Sequence, residues 1–275
     1  AASDVYKRQL VHLSTDGGKH WEIVTPKDLP EWAYIYCIET STHDPDVLYL
    51  SATRYKLDDY RPYLYKSIDG GRNWKNICGN YPENEISRVI REDPKNPGLL
   101  FVGSETVIFF SHNDGANWNR LGGNFPVVPV YDLKVKDDEM VVATHGRSFW
   151  ILDDLNPIRE SSRFKSEDDF HFFPPKSTFR RTLNWSTNLF MGDGKNYSPA
   201  FGIPGTNYVS EDKNGEKQTR YLDLGENPPQ GVIFHYVLND PENSKLELQI
   251  LDSKGNLIDT SVSYTHLTLP TILLV

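Results

Sequence analysis

Short runs of apolar or alternating residues, each bounded by turn-forming residues, recur along the first 160 positions of the chain. Such runs lie at 47–50, 63–66, 99–102, 107–110 and 140–143, with Gly, Asp, Asn and Pro between them. Runs of about four to eight such residues predict β-strands, since an amphipathic helix needs a longer stretch with a period near 3.6. The pattern therefore predicts an all-β chain.

A polar segment of constant form follows three of the predicted strands. It reads Ser-x-Asp-x-Gly-x-x-Trp, and Asn replaces Asp in the third copy. Ser and Asp side chains accept backbone N–H groups in tight turns, Gly adopts a positive φ, and Trp buries a large ring. We therefore expect three structural hairpins, called the repeat hairpins below. Their defining residues are Ser14, Asp16, Gly18 and Trp21, then Ser67, Asp69, Gly71 and Trp74, then Ser111, Asn113, Gly115 and Trp118.

The repeat extends upstream of each hairpin, so that one unit reads strand A, turn, strand B, loop, strand C, repeat hairpin, strand D. The second and third hairpins are 44 residues apart, whereas the first two are 53 apart because 55–62 is inserted between strands B and C. Four antiparallel strands in about 45 residues describe one blade of a β-propeller. We predict a partial propeller of three to four blades over 10–160, with a half unit near 10–26 and a last unit without a hairpin from 130.

The remaining chain changes character after 160. We predict a connector over 161–224, and over 225–261 the start of an immunoglobulin-like β-sandwich that is incomplete, because strand patterns at 232–238 and 246–251 lead into a hairpin turn. The ends, 1–9 and 262–275, match neither the repeat nor the neighbouring strands and resemble translated adapter sequence. We expect them to be non-native, and the chain to be a fragment of a longer protein.

Composition excludes several classes of protein. The chain of 275 residues carries a net charge of −9, which disfavours a nucleic-acid partner. No apolar run approaches the roughly 18 to 20 residues of a membrane-spanning helix. Cys37 and Cys78 are predicted on the inner and outer strands of one blade, beyond disulfide reach, so we expect two free thiols. No metal-ligand spacing or nucleotide fingerprint occurs, so we expect no metal and no cofactor.

The repeat hairpins resemble Asp boxes, the bacterial neuraminidase repeat. Together with the Asp-Pro turns and the segment 143–154 (ATHGRSFWILDD), they resemble the large exported bacterial proteins with a sortilin-type propeller, often labelled glycosyl hydrolase. The resemblance implies a propeller followed by β-sandwich material, and an exported location. Sortilin-type propellers bind peptides and proteins, whereas sialidases and xyloglucanases use related blades for hydrolysis.

In a propeller, the B–C loops and D–A crossovers share one face, called the loop face here, while the repeat hairpins and A–B turns share the other. Aromatic and arginine side chains on the loop face suit recognition of sugars or peptide termini. The ligand-binding candidates there are Trp32, Arg54, Tyr60, Arg61, His145 and Arg147. The weak catalytic candidates are the loop-face carboxylates Asp58, Asp59 and Glu105. Because Asp58 and Asp59 are adjacent, a hydrolase would pair one of them with a carboxylate on another blade.

Three functions stay open from the sequence. The favoured one is a non-catalytic module that binds protein, peptide or glycan through the loop face. The second is a glycoside hydrolase whose acid pair lies partly in missing blades, which would show facing carboxylates about 5 to 9.5 Å apart in a cleft. The third is a structural module of a secreted assembly.

Overall fold

The computed structural model describes residues 10–163, 170–178, 192–198, 205–211, 215, 217–221, 232–239 and 246–263. Within these ranges the chain forms twenty β-strands, one α-helix and one short 3-10 helix over Tyr55–Leu57. The all-β prediction is confirmed. Two compact units, 1–174 with 235–275 and 175–234, are described separately.

The repeat units form successive antiparallel sheets whose strands neighbour one another in chain order. The half-blade has β1 (His12–Leu13) and β2 (Glu22–Ile23), and blade 1 has β3 (Tyr34–Thr40), β4 (Leu48–Arg54), β5 (Asp59–Ser67) and β6 (Lys75–Asn76). Blade 2 has β7 (Ser87–Glu92), β8 (Leu100–Ser104), β9 (Ile108–Ser111) and β10 (Asn119–Arg120). Blade 3 has β11 (Val130–Lys136), β12 (Glu139–Thr144) and β13 (Phe149–Leu152).

The sheets stack face to face, with an apolar core between each pair. One cluster joins the half-blade to blade 1 around Leu50 and Tyr65, a second joins blades 1 and 2 around Tyr49, and a third joins blades 2 and 3 around Phe101. The first strands of the three blades contact one another, since β7 lies against both β3 and β11. Consecutive meander sheets with adjacent innermost strands are the arrangement of a β-propeller. The described blades form part of such a propeller.

The three repeat hairpins share one hydrogen-bond pattern. In the second hairpin, the Ser67 hydroxyl donates to Asp69 at 2.9 Å and accepts the Gly71 N–H at 2.8 Å, while Asp69 accepts the Asn73 N–H at 2.8 Å. The first and third copies repeat these bonds. The Ser and Asp side chains are therefore engaged within their own turns, which supports the structural role predicted for them.

The hairpin tryptophans connect neighbouring blades. The Trp118 indole donates to the Ile77 carbonyl at 2.9 Å, just after the last strand of blade 1, and Trp74 donates to the Val24 carbonyl at 2.6 Å, just after the half-blade. Trp21 instead donates within its own hairpin. Blades 1 and 2 are thus each hydrogen-bonded to the preceding unit through their hairpins.

After blade 3, the described residues include secondary structure that the sequence pattern did not predict. The sequence pattern did not predict the helix α1 (Asn156–Ser161), which is followed by β14 (Phe170–Phe173). The predicted connector also contains a three-stranded sheet of β15 (Gly194–Ser198), β16 (Gly205–Glu211) and β17 (Lys217–Tyr221). After the connector come β18 (His235–Leu238), β19 (Leu246–Leu251) and β20 (Leu257–Ser263).

In the region of the predicted sandwich, β18 pairs with β14, and β19 pairs with β20. Two separate two-stranded sheets do not by themselves make a β-sandwich, so the immunoglobulin-like sandwich stays a prediction. Of the ends expected to be non-native, 1–9 and 264–275 lie outside the described residues, while 262 and 263 belong to β20. Both cysteines are free thiols, as predicted. Among the described residues, no helix is long and apolar enough to cross a membrane.

Candidate functional site

Each of the three innermost strands contains a β-bulge near its start. The strand register skips Tyr36 in β3, Arg88 with Val89 in β7, and Tyr131 in β11. A bulge inserts one residue that has no partner across the ladder and re-aims its side chain. Three consecutive blades therefore each redirect a side chain at the same level of the innermost strand.

The redirected side chains meet in a pocket of about 310 Å³. We call it the tyrosine pocket; its lining residues are Tyr34, Tyr36, Tyr55, Lys56, Arg88 and Tyr131. Tyr55 and Lys56 come from the B–C loop of blade 1, and the other four come from the beginnings of strands A. The pocket consequently opens at the loop face, where the sequence predicted ligand binding.

A buried guanidinium forms the centre of the pocket. The Arg88 guanidinium carbon lies 4.7 Å from the ring centre of Tyr131, 5.5 Å from that of Tyr55 and 5.6 Å from that of Tyr36. Its Nε donates to the Glu105 carboxylate at 2.9 Å, and its Nη2 donates to the same oxygen. Burial opposes the charge of Arg88, but the hydrogen bond and the charge of Glu105, together with Tyr131 and Tyr36, outweigh burial and raise the pKa of the guanidinium. Arg88 is thus a fixed cation that holds three rings in place.

Two residues predicted from the sequence contact this arrangement from outside. Glu105 extends from the B–C loop of blade 2 to pair with Arg88, and half of its side chain remains exposed. His145, in the B–C loop of blade 3, stacks on Tyr131 with 5.0 Å between ring centres. Burial raises the pKa of the Tyr36 phenol, so its hydroxyl stays protonated at neutral pH. The pocket wall therefore presents aromatic surfaces and phenol hydroxyls.

Three other predicted residues form an ion-pair cluster at the inserted loop of blade 1. Asp59 accepts two bonds of 2.9 Å from Arg61, one of 2.8 Å from Arg54 and one of 2.6 Å from the Tyr63 hydroxyl. The Arg61 bonds, together with Tyr63, hold the pKa of Asp59 well below its ordinary value. Its neighbour Asp58 ends the 3-10 helix in a left-handed conformation. The structure therefore brings Arg54, Asp59 and Arg61 together, while Glu105 is engaged by a different arginine.

Of the remaining predicted ligand residues, Trp32 and Arg147 lie in loops, and Tyr60 lies at the start of β5. Trp32 and Tyr60 are exposed, and Trp32 has a φ of +66°, which is rare for a large side chain. Arg147 is exposed, and its carbonyl accepts the Trp150 indole at 3.0 Å. Strained loop residues of this kind cluster at binding sites. Their part in ligand binding stays a prediction.

The sequence did not single out Tyr36, Arg88 or Tyr131. A signal was available, because Tyr36 and Arg88 occupy the same repeat position, directly before 37–39 and 89–91 in the aligned strands. In a regular strand, side chains alternate between the two faces of the sheet, so the sequence pattern predicts for each such residue only one of these two faces. A bulge changes the direction of one side chain, and the apolar pattern does not reveal it.

No protein-family model and no curated protein match the chain. Among solved structures it is similar to YCF48 bound to D1 peptide, with 16% identity and a TM-score of 0.41 over 52% of this chain and 44% of that one. A GH74 enzyme of Niastella koreensis gives 15% identity and a TM-score of 0.35 over 44% of this chain and 21% of the enzyme. An ancestral GH74 enzyme gives 14% sequence identity and a TM-score of 0.37 over 93% of this chain and 30% of the enzyme.

These solved proteins are β-propellers, and this chain spans less than half the length of each. The assignment of the fold rests on the order and packing of the sheets.

Proposed function

We propose that the chain is a non-catalytic propeller module that binds a protein or peptide segment on its loop face, with the tyrosine pocket at the centre. The observation that carries this proposal is the convergence of Tyr36, Arg88 and Tyr131 from three blades into one pocket. Tyrosine and arginine are enriched at the centres of protein interfaces, because they supply a large contact area with few rotatable bonds.

The character of the pocket favours a peptide over a sugar. Two of the three guanidinium nitrogens of Arg88 already donate to one oxygen of Glu105, which reduces the directional contacts that this pair can offer to a ring of hydroxyl groups. Around the pocket, Tyr55, Leu57 and Tyr60 are exposed. Aromatic walls beside an apolar rim accept the side chains of a peptide, with Lys56 as a point charge at the edge.

Two of the loop-face carboxylates, Asp59 and Glu105, do not suit glycosidic hydrolysis. A glycosidase needs one carboxylic acid that carries a proton at working pH and a second carboxylate facing it across the bond. Arg61 and Tyr63 keep Asp59 ionised, and Glu105 neutralises Arg88. Two carboxylates that are each engaged by a different arginine support binding rather than acid catalysis.

The proposal extends to family and location. The repeat hairpins form identical turns in three successive units, which supports membership of the Asp-box propellers. With the segment 143–154, the resemblance to exported sortilin-type proteins supports a location outside the cytoplasm.

Selection of phage-displayed random peptides on the immobilised chain tests the function. We expect enriched peptides whose affinity falls about tenfold or more in Tyr131→Ala, which removes one wall of the pocket. Tyr131→Phe keeps the ring and should bind nearly as well. The control Tyr197→Ala changes an exposed tyrosine of the separate 175–234 unit and should have no effect.

Two further assays separate the alternatives. Retention in a xyloglucan affinity gel that is lost in Tyr131→Ala, with no peptide enriched, would replace the peptide by a glycan. Release of reducing ends from xyloglucan that is abolished in Asp59→Asn or Glu105→Gln would establish a hydrolase and overturn the proposal.

A further inference from the structure

The polar groups that line the tyrosine pocket are hydrogen-bond donors or hydroxyls. Lys56 and Arg88 carry donors only, and each tyrosine adds a hydroxyl that can donate or accept. None of the described residues in the lining carries a carboxylate, because Glu105 pairs with Arg88 from outside it. Burial raises the pKa of the Tyr36 phenol, so that hydroxyl keeps a proton to donate. A ligand group that complements this wall must therefore supply acceptors.

The rings of the pocket already have their cation. The Arg88 guanidinium carbon lies 4.7 to 5.6 Å from the ring centres of Tyr36, Tyr55 and Tyr131. These rings therefore make their cation–π contacts with a residue of the chain itself. A basic side chain of a ligand would find one face of each ring occupied and would meet the like charges of Arg88 and Lys56. The pocket disfavours lysine and arginine side chains.

Lys56 differs from the arginines around it because its charge is not compensated. Arg88 is paired with Glu105, and Arg54 and Arg61 share Asp59. Lys56 is exposed, and within the part of the chain that the structure describes no carboxylate lies at ion-pair distance from its ammonium. After Arg88 and Glu105 cancel, one positive charge remains in the wall of the pocket. Charge-assisted hydrogen bonds from an ammonium to a carboxylate are stronger than bonds between neutral groups.

We propose that the tyrosine pocket selects a peptide by one acidic side chain, Asp or Glu, whose carboxylate pairs with Lys56 and accepts from the phenol hydroxyls. The inference rests on the proposed peptide-binding function and adds the class of residue that enters the pocket. The volume of about 310 Å³ lies near the lower end of the roughly 300–1,000 Å³ of ligand pockets, which suits one or two side chains rather than a longer segment.

Peptides enriched on the immobilised chain, resynthesised with an acetylated N-terminus and an amidated C-terminus, test the proposal. In these peptides only the side chains carry charge. We expect those that Tyr131→Ala weakens to contain Asp or Glu. Replacing that residue by Asn or Gln should weaken binding about tenfold in isothermal titration calorimetry, because a bond to a charged group is lost. The difference between acid and amide should shrink as salt is added.

Lys56→Gln tests the contact from the side of the protein. This variant should bind the acidic peptide about tenfold more weakly than the parent and bind the amide analogue equally well, because both changes remove the same contact. Lys56 is exposed, so the substitution should leave the fold intact, and circular dichroism checks this. Lys75→Gln, at an exposed position of β6 in the same blade, is the matched control and should keep the full preference for the acid.

The outcomes separate this inference from the function on which it rests. Pocket-dependent peptides without acidic residues, equal affinity for acid and amide, or equal effects of Lys56→Gln and Lys75→Gln would overturn the acidic preference and leave peptide binding in place. If no peptide is enriched, or if Tyr131→Ala binds every enriched peptide as the parent does, both proposals are wrong.

Discussion

Replacing Arg159 with Met should destabilise the chain more than the removal of any exposed ion pair. Arg159 lies on α1, and its Nε and Nη2 donate to one oxygen of Asp93 at 3.0 and 2.9 Å. Its Nη1 bonds Asp138 at 2.5 Å, and its Nη2 also donates to the Asp137 carbonyl at 2.7 Å. Asp93 lies in the A–B turn of blade 2 and the other two in that of blade 3, so a single side chain joins the helix to both blades.

The burial of the pair sets the size of the effect. The Asp93 side chain is 0% exposed and that of Arg159 is 5% exposed. Removing one partner of a buried pair leaves a charge without compensation, which costs about 3–5 kcal/mol in the free energy of unfolding. Lys95→Ala removes a half-exposed partner of Asp138 and should cost at most about 1 kcal/mol.

Urea denaturation of the full chain, followed by tryptophan fluorescence, measures these differences from the midpoints. The double variant Arg159→Met with Asp93→Asn should recover part of the loss, because no charge is left buried and the amide oxygen still accepts the turn N–H groups of Lys95 and Asn96. A cost below about 1 kcal/mol for Arg159→Met, or a double variant less stable than the single one, would show that the pair does not hold the helix to the blades.

The other predictions concern contacts between and within the blades. Trp118→Phe should lower the free energy of unfolding by about 1–3 kcal/mol, because it leaves the buried Ile77 carbonyl of blade 1 without its donor. Trp21 is exposed, so Trp21→Phe should change the free energy of unfolding by less than about 0.5 kcal/mol. Equal urea midpoints for the two variants would contradict this prediction. Gly103→Ala would place a Cβ 2.5 Å from a methyl of blade 3, so an overpacking loss of about 1–3 kcal/mol is expected in the same assay. The bond from the Lys95 ammonium, together with Arg159, lowers the pKa of Asp138, so its stabilisation should be present above the ordinary value of 3.8 and disappear as pH falls through the lower folded-state pKa. The difference in urea midpoint between the parent and Asp138→Asn should therefore shrink on acidification, and a constant difference would refute it.

The blades were predictable because their signals are local. The hairpin bonds of Ser67 and Asp69 span two to four residues, so the sequence of the turn determines them without help from the rest of the fold. The apolar runs on either side are short enough to exclude helices. The inserted loop at 55–62 was predicted from spacing alone, and it does contribute Tyr55 to the pocket.

The parts that were missed depend on distant residues. Arg88 would be expected on one side of a regular strand, yet a bulge redirects it to rings supplied by blades 1 and 3. The helix α1 is six residues long and is held by Arg159 through contacts 66 and 21 residues away. Isolated helices of this length are unstable in water, so tertiary contacts rather than propensity determine that it forms.

The same dependence connects the pocket to the packing of the blades. Each of Tyr36, Arg88 and Tyr131 is contributed by a different blade, so their separations are set by how closely the sheets approach. Gly103 permits that approach, because blade 3 lies where its side chain would be. Arg91 reinforces the close approach of the sheets, because it donates to Glu39 of blade 1 at 3.1 Å and also to Asp132 and the Leu133 carbonyl of blade 3. A change that moves one blade outward should therefore weaken the proposed peptide binding without touching the pocket, since the three rings would no longer enclose one guanidinium.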